Sequence, residues 1–584
     1  MRRAAALALP LLLLLGATAG CSSTAPSRAE AGRDAASAGA ALRLGAVVDR
    51  VLGFREGLAR EGADLGRLDR PDRAAAARDA MAVLRAELAA LPGGDLDREG
   101  RTDLDIAGFL LDQAEEQMRL ADADEARIAG LAVPSADALG LEGDGVPGPE
   151  TAARLSAPGF MADPPPGDSL YGAVRTAADL RAAGSRLRQA AERLRRAGNE
   201  VAVLYPAEGE AARKAAQDAA GRMEAVAKTR DEDAKKYPGG DEKQFSPPCG
   251  RERFVALLRT EHAVEESPEA LEAYGLDLLK DTTAALESLA ADSFPGLTWK
   301  QALDEVRKDH ASSAELPGEA LKDALEARDF CIEQGLVTIP PPARLGHVEM
   351  VGDDAARSYP FAAYGFRSST PHGESGRYLV SPGATWMEAE QREQRLRGNC
   401  RAWTRVVAPH ETWPGHHLQF WVADHDCSRL RREAGTSTFV EGWGLYCEWL
   451  LDRHGYFTTP GQHLALLAMR AWRACRVVLD VRLQCGGFTP EQGIDFLVEN
   501  AGTTRDSATA EVRRYMDSPT QPFSYAVGWR EILALRADEE RRLGPRFDER
   551  EFHDRLLRCG PVPFRFVRRL FGYGEPAAAP PGTR

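Results

Sequence analysis

Apolar residues recur at intervals of three and four along most of the chain, with charged residues between them. Residues 42–58, 73–91, 103–131 and 173–197 all carry this period, which places the apolar side chains on one side of an α-helix. Ala and Leu are abundant there, and both favour helix. Residues 133–168 are rich in Gly and Pro and predict a long surface loop. Residues 237–250, with Pro238-Gly239-Gly240 and Pro247-Pro248, predict a second break before helices resume over 251–335. Charged residues on such helices are read as solvated faces.

The pattern changes near Val337. Pro340-Pro341-Pro342 stops the helical run. Residues 345–351, 361–366 and 376–380 then read as short strands, a small sheet just before the most informative stretch. Two further helices are predicted over 434–451 and 462–485.

Between sheet and helices lies His410-Glu411-Thr412-Trp413-Pro414-Gly415-His416-His417, which gathers three of the eleven histidines and a glutamate into eight residues. Imidazole is the commonest protein ligand for zinc, and a glutamate beside a ligand can act as general base. The usual form is H-E-x-x-H on one helix face, but position 414 is proline. Residues six apart on a regular helix differ by about 240° and do not converge. Pro414 lacks an N–H and clashes with the preceding turn, and Gly415 permits unusual torsions. Pro-Gly therefore predicts a locally widened turn that would bring His416 beside His410. His417 is the alternative ligand, on the matching face of an unbroken helix but roughly 10 Å further along. Glu441, twenty-five residues after His416, can complete a His₂Glu set from a second helix, leaving a fourth position open. Glu448 lies seven residues on, as a supporting or a surface carboxylate. Asp424-His425-Asp426 reads as a solvated helix end.

The strings H-E-x-x-P-G-H-H-L-Q and F-x-E-G-W resemble the bacterial DUF885 family and, distantly, the helical zinc peptidases of the thimet-oligopeptidase and angiotensin-converting-enzyme type. The resemblance implies a mainly α, zincin-like helical domain around a cleft, with the small sheet next to the metal. It implies one zinc per chain, held by His410, His416 and Glu441. Aligning Gly415-His416 with the Gly-His of those peptidases supports His416 over His417. Pro519 to Gly528 resembles the family segment P-x-Q-x-x-x-Y-x-x-G. A downstream tyrosine in the related peptidases donates to the oxyanion, a role that would fall to Tyr525; a buried structural tyrosine is the alternative. An edge strand in those peptidases binds the substrate backbone, which makes His372, Arg377 and Tyr378 candidates for substrate binding, with a structural hairpin as the alternative.

The ends of the chain carry other signals. Arg2-Arg3, an apolar run over 4–15 and Thr18-Ala19-Gly20-Cys21 read as a lipoprotein signal over 1–21, with Cys21 lipidated. An ordinary cleaved signal is the alternative. Residues 22–41 read as a flexible tether, 42–574 as the helical catalytic domain and 575–584 as a disordered tail. A net charge of −14 without a basic cluster speaks against nucleic acid as a partner. Of nine cysteines, eight remain beyond Cys21, none in a C-x-x-C pair, so disulfides and buried thiols both stay open.

Together these readings point to a zinc-dependent metallohydrolase, a peptidase cutting short unstructured peptides through a zinc-activated water. It would be lipid-anchored in the bacterial cell envelope, at the outer membrane and facing the periplasm or cell surface. The other class is a non-enzymatic surface lipoprotein that binds peptides or partners around a structural metal.

Overall fold

A computed structural model describes residues 28–63, 71–123, 245–246, 248–341, 345–351, 362–370 and 373–574, with isolated positions between 188 and 228. Cys21, the stretch 133–168, most of 173–197, His372 and the tail 575–584 lie outside the described residues.

Among the described residues the chain is mainly helical, with one three-stranded sheet. Helices α1 (Arg28–Ala63), α2 (Pro71–Ala90) and α3 (Arg98–Ala123) pack on one another at the amino-terminal side. Residues 28–41, expected to be tether, belong to α1, and Ala40 is buried against Leu44 and Leu96. The reason is alanine: it loses no side-chain entropy in a helix, so helix persists where large apolar residues are missing. Helices α4 (Arg251–His262), α5 (Pro268–Ser293), α6 (Trp299–Val306) and α7 (Leu316–Gln334) follow. Gly335 ends α7 in the left-handed conformation, which glycine adopts without a Cβ penalty.

The sheet comprises β1 (Leu345–Met350), β2 (Ala362–Thr370) and β3 (Gly373–Val380) in the order β1-β3-β2. β1 runs parallel to β3, and β2 antiparallel to it. β3 is therefore central and β2 an edge strand. After α8 (Ala389–Gly398) come α9 (Arg401–Glu411) and α10 (His416–Asp426), then α11 (Arg429–Glu433), α12 (Ser437–Arg453), α13 (Pro460–Gln484), α14 (Pro490–Ala501), α15 (Arg505–Asp517), α16 (Ser524–Leu543), α17 (Glu549–Arg558) and α18 (Phe564–Leu570).

α13 is the axis of the core. Thr459 opens it with a capping box to Gln462, and Pro460 pre-sets the first turn. Almost every residue from Leu464 to Gln484 is buried, with α5, α9, α12, α14, α15 and α16 all packed against it or its neighbours. α12 and α16 cross at van der Waals distance because glycines face each other. A Cβ on Gly528 would overlap the Thr438 carbonyl, and one on Gly442 would sit 2.5 Å from the Gly528 carbonyl carbon. Backbone cannot move aside as a side chain can. Gly528→Ala should cost about 3 kcal/mol or more, the upper end of overpacking penalties, as a fall in the denaturant midpoint; an unchanged midpoint would mean that the helices do not cross here.

No described helix is long and apolar enough to cross a membrane. The eight cysteines from Cys249 to Cys559 are free thiols, six of them buried.

Candidate metal centre and its cleft

The motif does not form one helix with a widened turn. α9 stops at Glu411 and α10 starts afresh at His416, with residues 412–415 as an irregular corner. The correction follows from how much must be accommodated. The Gly415 amide reaches back to the Pro409 carbonyl at 3.0 Å, six residues away, which is wider than a π turn. Trp443 Nε1 donates to the Pro414 carbonyl at 2.8 Å and fastens the corner to α12. Gly415 is required because a Cβ there would collide with the His410 and Pro409 carbonyls.

The corner brings the two histidines together, with ring centroids 4.7 Å apart. From α12, Glu441 reaches both: its Oε2 lies 3.6 Å from His410 Nε2 and 3.4 Å from His416 Nε2. Among the described residues, His410, His416 and Glu441 form the group whose ligand atoms all fall within 4.8 Å of one another. Tetrahedral zinc ligands at ~2.0–2.2 Å sit roughly 3.3–3.6 Å apart, so the two separations fit. Both Nε2 atoms are presented because both Nδ1 atoms are held elsewhere. His410 Nδ1 donates to Glu448 Oε1 at 2.8 Å, and His416 Nδ1 pairs with Gln419 Oε1 at 3.3 Å. Such partners fix ring orientation at metal sites.

His417 takes the other direction. It is buried against the Trp413 ring, and its Nδ1 meets the Tyr364 hydroxyl of β2 at 3.2 Å. It props the sheet on α10 and stays outside the cluster. Asp424, His425 and Asp426 end α10 exposed.

Burial alone would lower the His410 imidazole, but hydrogen bonds to Glu441 and Glu448 and the charges of Glu448 and Glu411 outweigh it, raising it to about 9. Burial would raise the Glu441 carboxyl, yet the two histidines hold it far below the usual carboxylate range. Histidine protons thus sit where a cation would neutralise the same carboxylate.

The cluster opens on a cleft of about 650 Å³, lined also by Glu411, Tyr525 and residues 362–364 of β2. The Tyr525 ring stacks 6.3 Å from that of His410. Burial, and then the Glu441 charge, raise its phenol, so it keeps its proton as a donor. Gln521 Nε2 lies 3.5 Å from Glu441 Oε1 and 3.4 Å from the Tyr525 hydroxyl, so one amide sets both groups. Arg377 does not line the cleft: its Nε pairs with Glu349 of β1 at 2.8 Å. Neither does Tyr378, which is fully buried among Ala311, Leu316 and Ala408. Neighbouring residues of a strand point to opposite faces, and β3 is covered on both edges.

Sequence reasoning left Glu448 undecided and gave Gln419, Gln521, Arg473 and Arg476 no role. Glu448 is fully buried and accepts from His410 Nδ1 at 2.8 Å and from Arg473 Nη2 at 3.1 Å. The available signal was polar residues at 473, 476, 480 and 484 of α13, spaced to share one face.

The frame behind the cleft has a pH signature. His262 is buried, with Nδ1 2.8 Å from Thr436 Oγ1 and Nε2 3.1 Å from Thr520 Oγ1. Thr436 caps α12, and Thr520 leads into the Tyr525 segment. Burial lowers this imidazole to about 3. A folded value below the unfolded one gives stability that is present above pH ~6.5 and lost as pH falls toward 3. Between pH 7 and pH 5, His262 alone should remove about 2 kcal/mol. Denaturation at the two pH values checks this; His262→Gln should show a shallower decline.

Two solved structures share the fold. One is a protein of unknown function from Shewanella oneidensis, described as a candidate lipoprotein, with TM-score 0.69 and 18% identity over 91% of this chain and 98% of that one. The other, from Colwellia psychrerythraea and also described as a candidate lipoprotein, has TM-score 0.68 and 18% identity over 91% and 99%. A search of curated protein sequences finds no match. The family model for bacterial proteins of unknown function DUF885 matches residues 164–570, and the chain belongs to the DUF885 family.

Proposed function

We propose that the protein is a zinc-dependent hydrolase acting on peptides. The observation that carries this reading is the convergence of His410 Nε2, His416 Nε2 and a Glu441 oxygen at metal-ligand separations, with Glu411 and Tyr525 on the same cleft. A structural zinc site closes with four protein ligands; this group has three and faces a cavity, which favours catalysis over a structural metal.

A zinc ion held by these ligands would act as Lewis acid toward a scissile carbonyl and make water more acidic. Glu411, buried at the cleft wall beside the first ligand, would take the proton from attacking water and hand it to the leaving amine. Tyr525, still protonated, would donate to the developing oxyanion. Gln521 would hold Glu441 and Tyr525 in register. The outer strand β2 would pair with an extended peptide backbone, so recognition would depend weakly on side chains. The walls would exclude folded proteins and admit short unstructured peptides.

Metal content tests the ligand set. One zinc per chain is expected, lost in His410→Ala and Glu441→Ala, and lost to a greater extent in His416→Ala than in His417→Ala. A His417→Ala protein that loses zinc while His416→Ala keeps it would overturn this assignment. Lipid anchoring through Cys21 is part of the same proposal, supported by the lipobox and by the descriptions of the two structural neighbours. Cys21→Ala should move the protein from the membrane fraction to the soluble one; unchanged membrane retention would contradict it.

A further inference from the structure

The loop that delivers Gln521 and Tyr525 to the cleft is held in a conformation its sequence disfavours. It spans residues 518–523, between α15 and α16. Thr520 has a φ of 66°, in the left-handed region that a β-branched residue avoids. Such a conformation persists only where the surroundings over-determine it. The Thr520 hydroxyl donates to the Pro519 carbonyl at 2.6 Å and meets His262 Nε2 at 3.1 Å. The backbone of the loop is held from α13. Asp480, fully buried, accepts from the Thr520 amide through Oδ1 and from the Phe523 amide through Oδ2, both at 3.1 Å. One turn on, Gln484 Nε2 donates to the Tyr515 carbonyl at 2.8 Å, near the end of α15.

The two Asp480 oxygens bracket Gln521. One holds the residue before it and the other the residue two after it, and Tyr525 follows in the first turn of α16. Gln521 faces the reacting centre. Its Nε2 lies 3.5 Å from Glu441 Oε1 and 3.4 Å from the Tyr525 hydroxyl, and its Oε1 accepts from Arg514 Nη1 at 2.7 Å. Asp480 itself lies outside the cleft lining, so it reaches the chemistry only through the loop backbone. Hydrogen bonds from amides to an ionised carboxylate are about twice as strong as neutral ones, and losing that charge loosens both anchors at once. Burial pushes the carboxyl up to about 8, while the two amides and Arg514 hold it down.

We infer that Asp480 is a positioning residue for hydrolysis: it holds the loop that sets Gln521 and Tyr525 against Glu441, and so governs turnover without touching substrate. This rests on the peptidase reading above, with Tyr525 as the oxyanion donor. Asp480→Asn keeps the volume, leaves one acceptor oxygen and sets an NH₂ group against the second amide. Asp480→Glu keeps the charge but displaces both oxygens by one carbon–carbon bond. It serves in the same way if the asparagine variant does not fold.

The zinc-loaded full chain is assayed on a short peptide at pH 9, where the parent carboxyl is ionised. In Asp480→Asn, kcat and kcat/KM should fall together by about 10- to 100-fold at unchanged KM, the mark of an interaction made in the transition state, with zinc still at one per chain. Leu483→Ala is the control for lost stability. Leu483 is fully buried on the same helix but faces Gly493 of α14, so its cavity should weaken the fold and leave kcat as it is. The crystal structure of metal-free Asp480→Asn should show Gln521 or Tyr525 displaced from Glu441 by about 1 Å or more, the scale at which misplacement costs rate. A parental kcat in Asp480→Asn overturns the inference, and so does an equal loss in Leu483→Ala or a loss of zinc. Unmoved Gln521 and Tyr525 overturn it whatever the kinetics. If the parent protein cuts no peptide, the peptidase reading falls, and the displacement in the variant alone decides whether Asp480 positions the loop.

Discussion

Glu411→Gln is expected to keep its zinc and lose turnover by about 10²–10⁴-fold, the usual contribution of a positioned acid–base group. The argument separates holding the metal from using it. The ligand atoms converge from His410, His416 and Glu441, and Glu411 is outside that group although it adjoins His410. It lies at the end of α9, where the helix breaks, and it is buried on the cleft wall. Glutamine keeps the volume and the acceptor oxygen but cannot accept a proton at neutral pH. Zinc content, circular dichroism and peptide turnover on one preparation check the claim. Full activity in a zinc-loaded Glu411→Gln protein would assign the base elsewhere.

Gly444→Ala is expected to have the second large effect, although Gly444 is no ligand. It sits on α12, one residue after Trp443, with the His410 ring directly above its Cα. A Cβ there would lie 2.5 Å from Cε1 and 2.6 Å from Nε2 of His410. The ring cannot swing clear cheaply, because Glu448 holds Nδ1 and the end of α9 that carries the ring is buried. The methyl must displace the ligand nitrogen itself. Losing the orientation of one ligand typically costs 10–100-fold in metal affinity, and about that loss is expected here by chelator competition, with helix content unchanged. Gly376→Ala is the control: its Cβ meets His417 and the Tyr364 hydroxyl, so zinc affinity should hold. A Gly444→Ala protein that binds zinc like the parent would mean that His410 is not a ligand in this pose.

The grouping of His410, His416 and Glu441 was legible in the sequence because the motif that carries it is local. Pro414-Gly415 announces a break, and only a break lets residues six apart converge. The form of the break was not legible. A widened turn and a four-residue corner satisfy the same sequence, and the choice depends on the bond from Trp443 in another helix to the Pro414 carbonyl. The small sheet was readable from its β-branched and aromatic runs, but not its strand order. That order puts β2 at the edge, where residues 362–364 line the cleft, and β3 in the middle, so Arg377 and Tyr378 pack within the structure. Glu448 was ambiguous because helical spacing gives its face and not its depth. Arg473 and Arg476 looked like ordinary helix charges because burial of α13 on all sides is a property of the assembled fold.

The central claim, that this trio holds the metal that drives hydrolysis, is tested most directly by titrating zinc into chelator-treated protein while following cleavage of a short peptide. The proposed function predicts no activity at the start, a linear rise, and a sharp break at one zinc per chain, with no recovery in Glu441→Ala. Peptide cleavage that persists without metal, or that rises without any break at one equivalent, would contradict it.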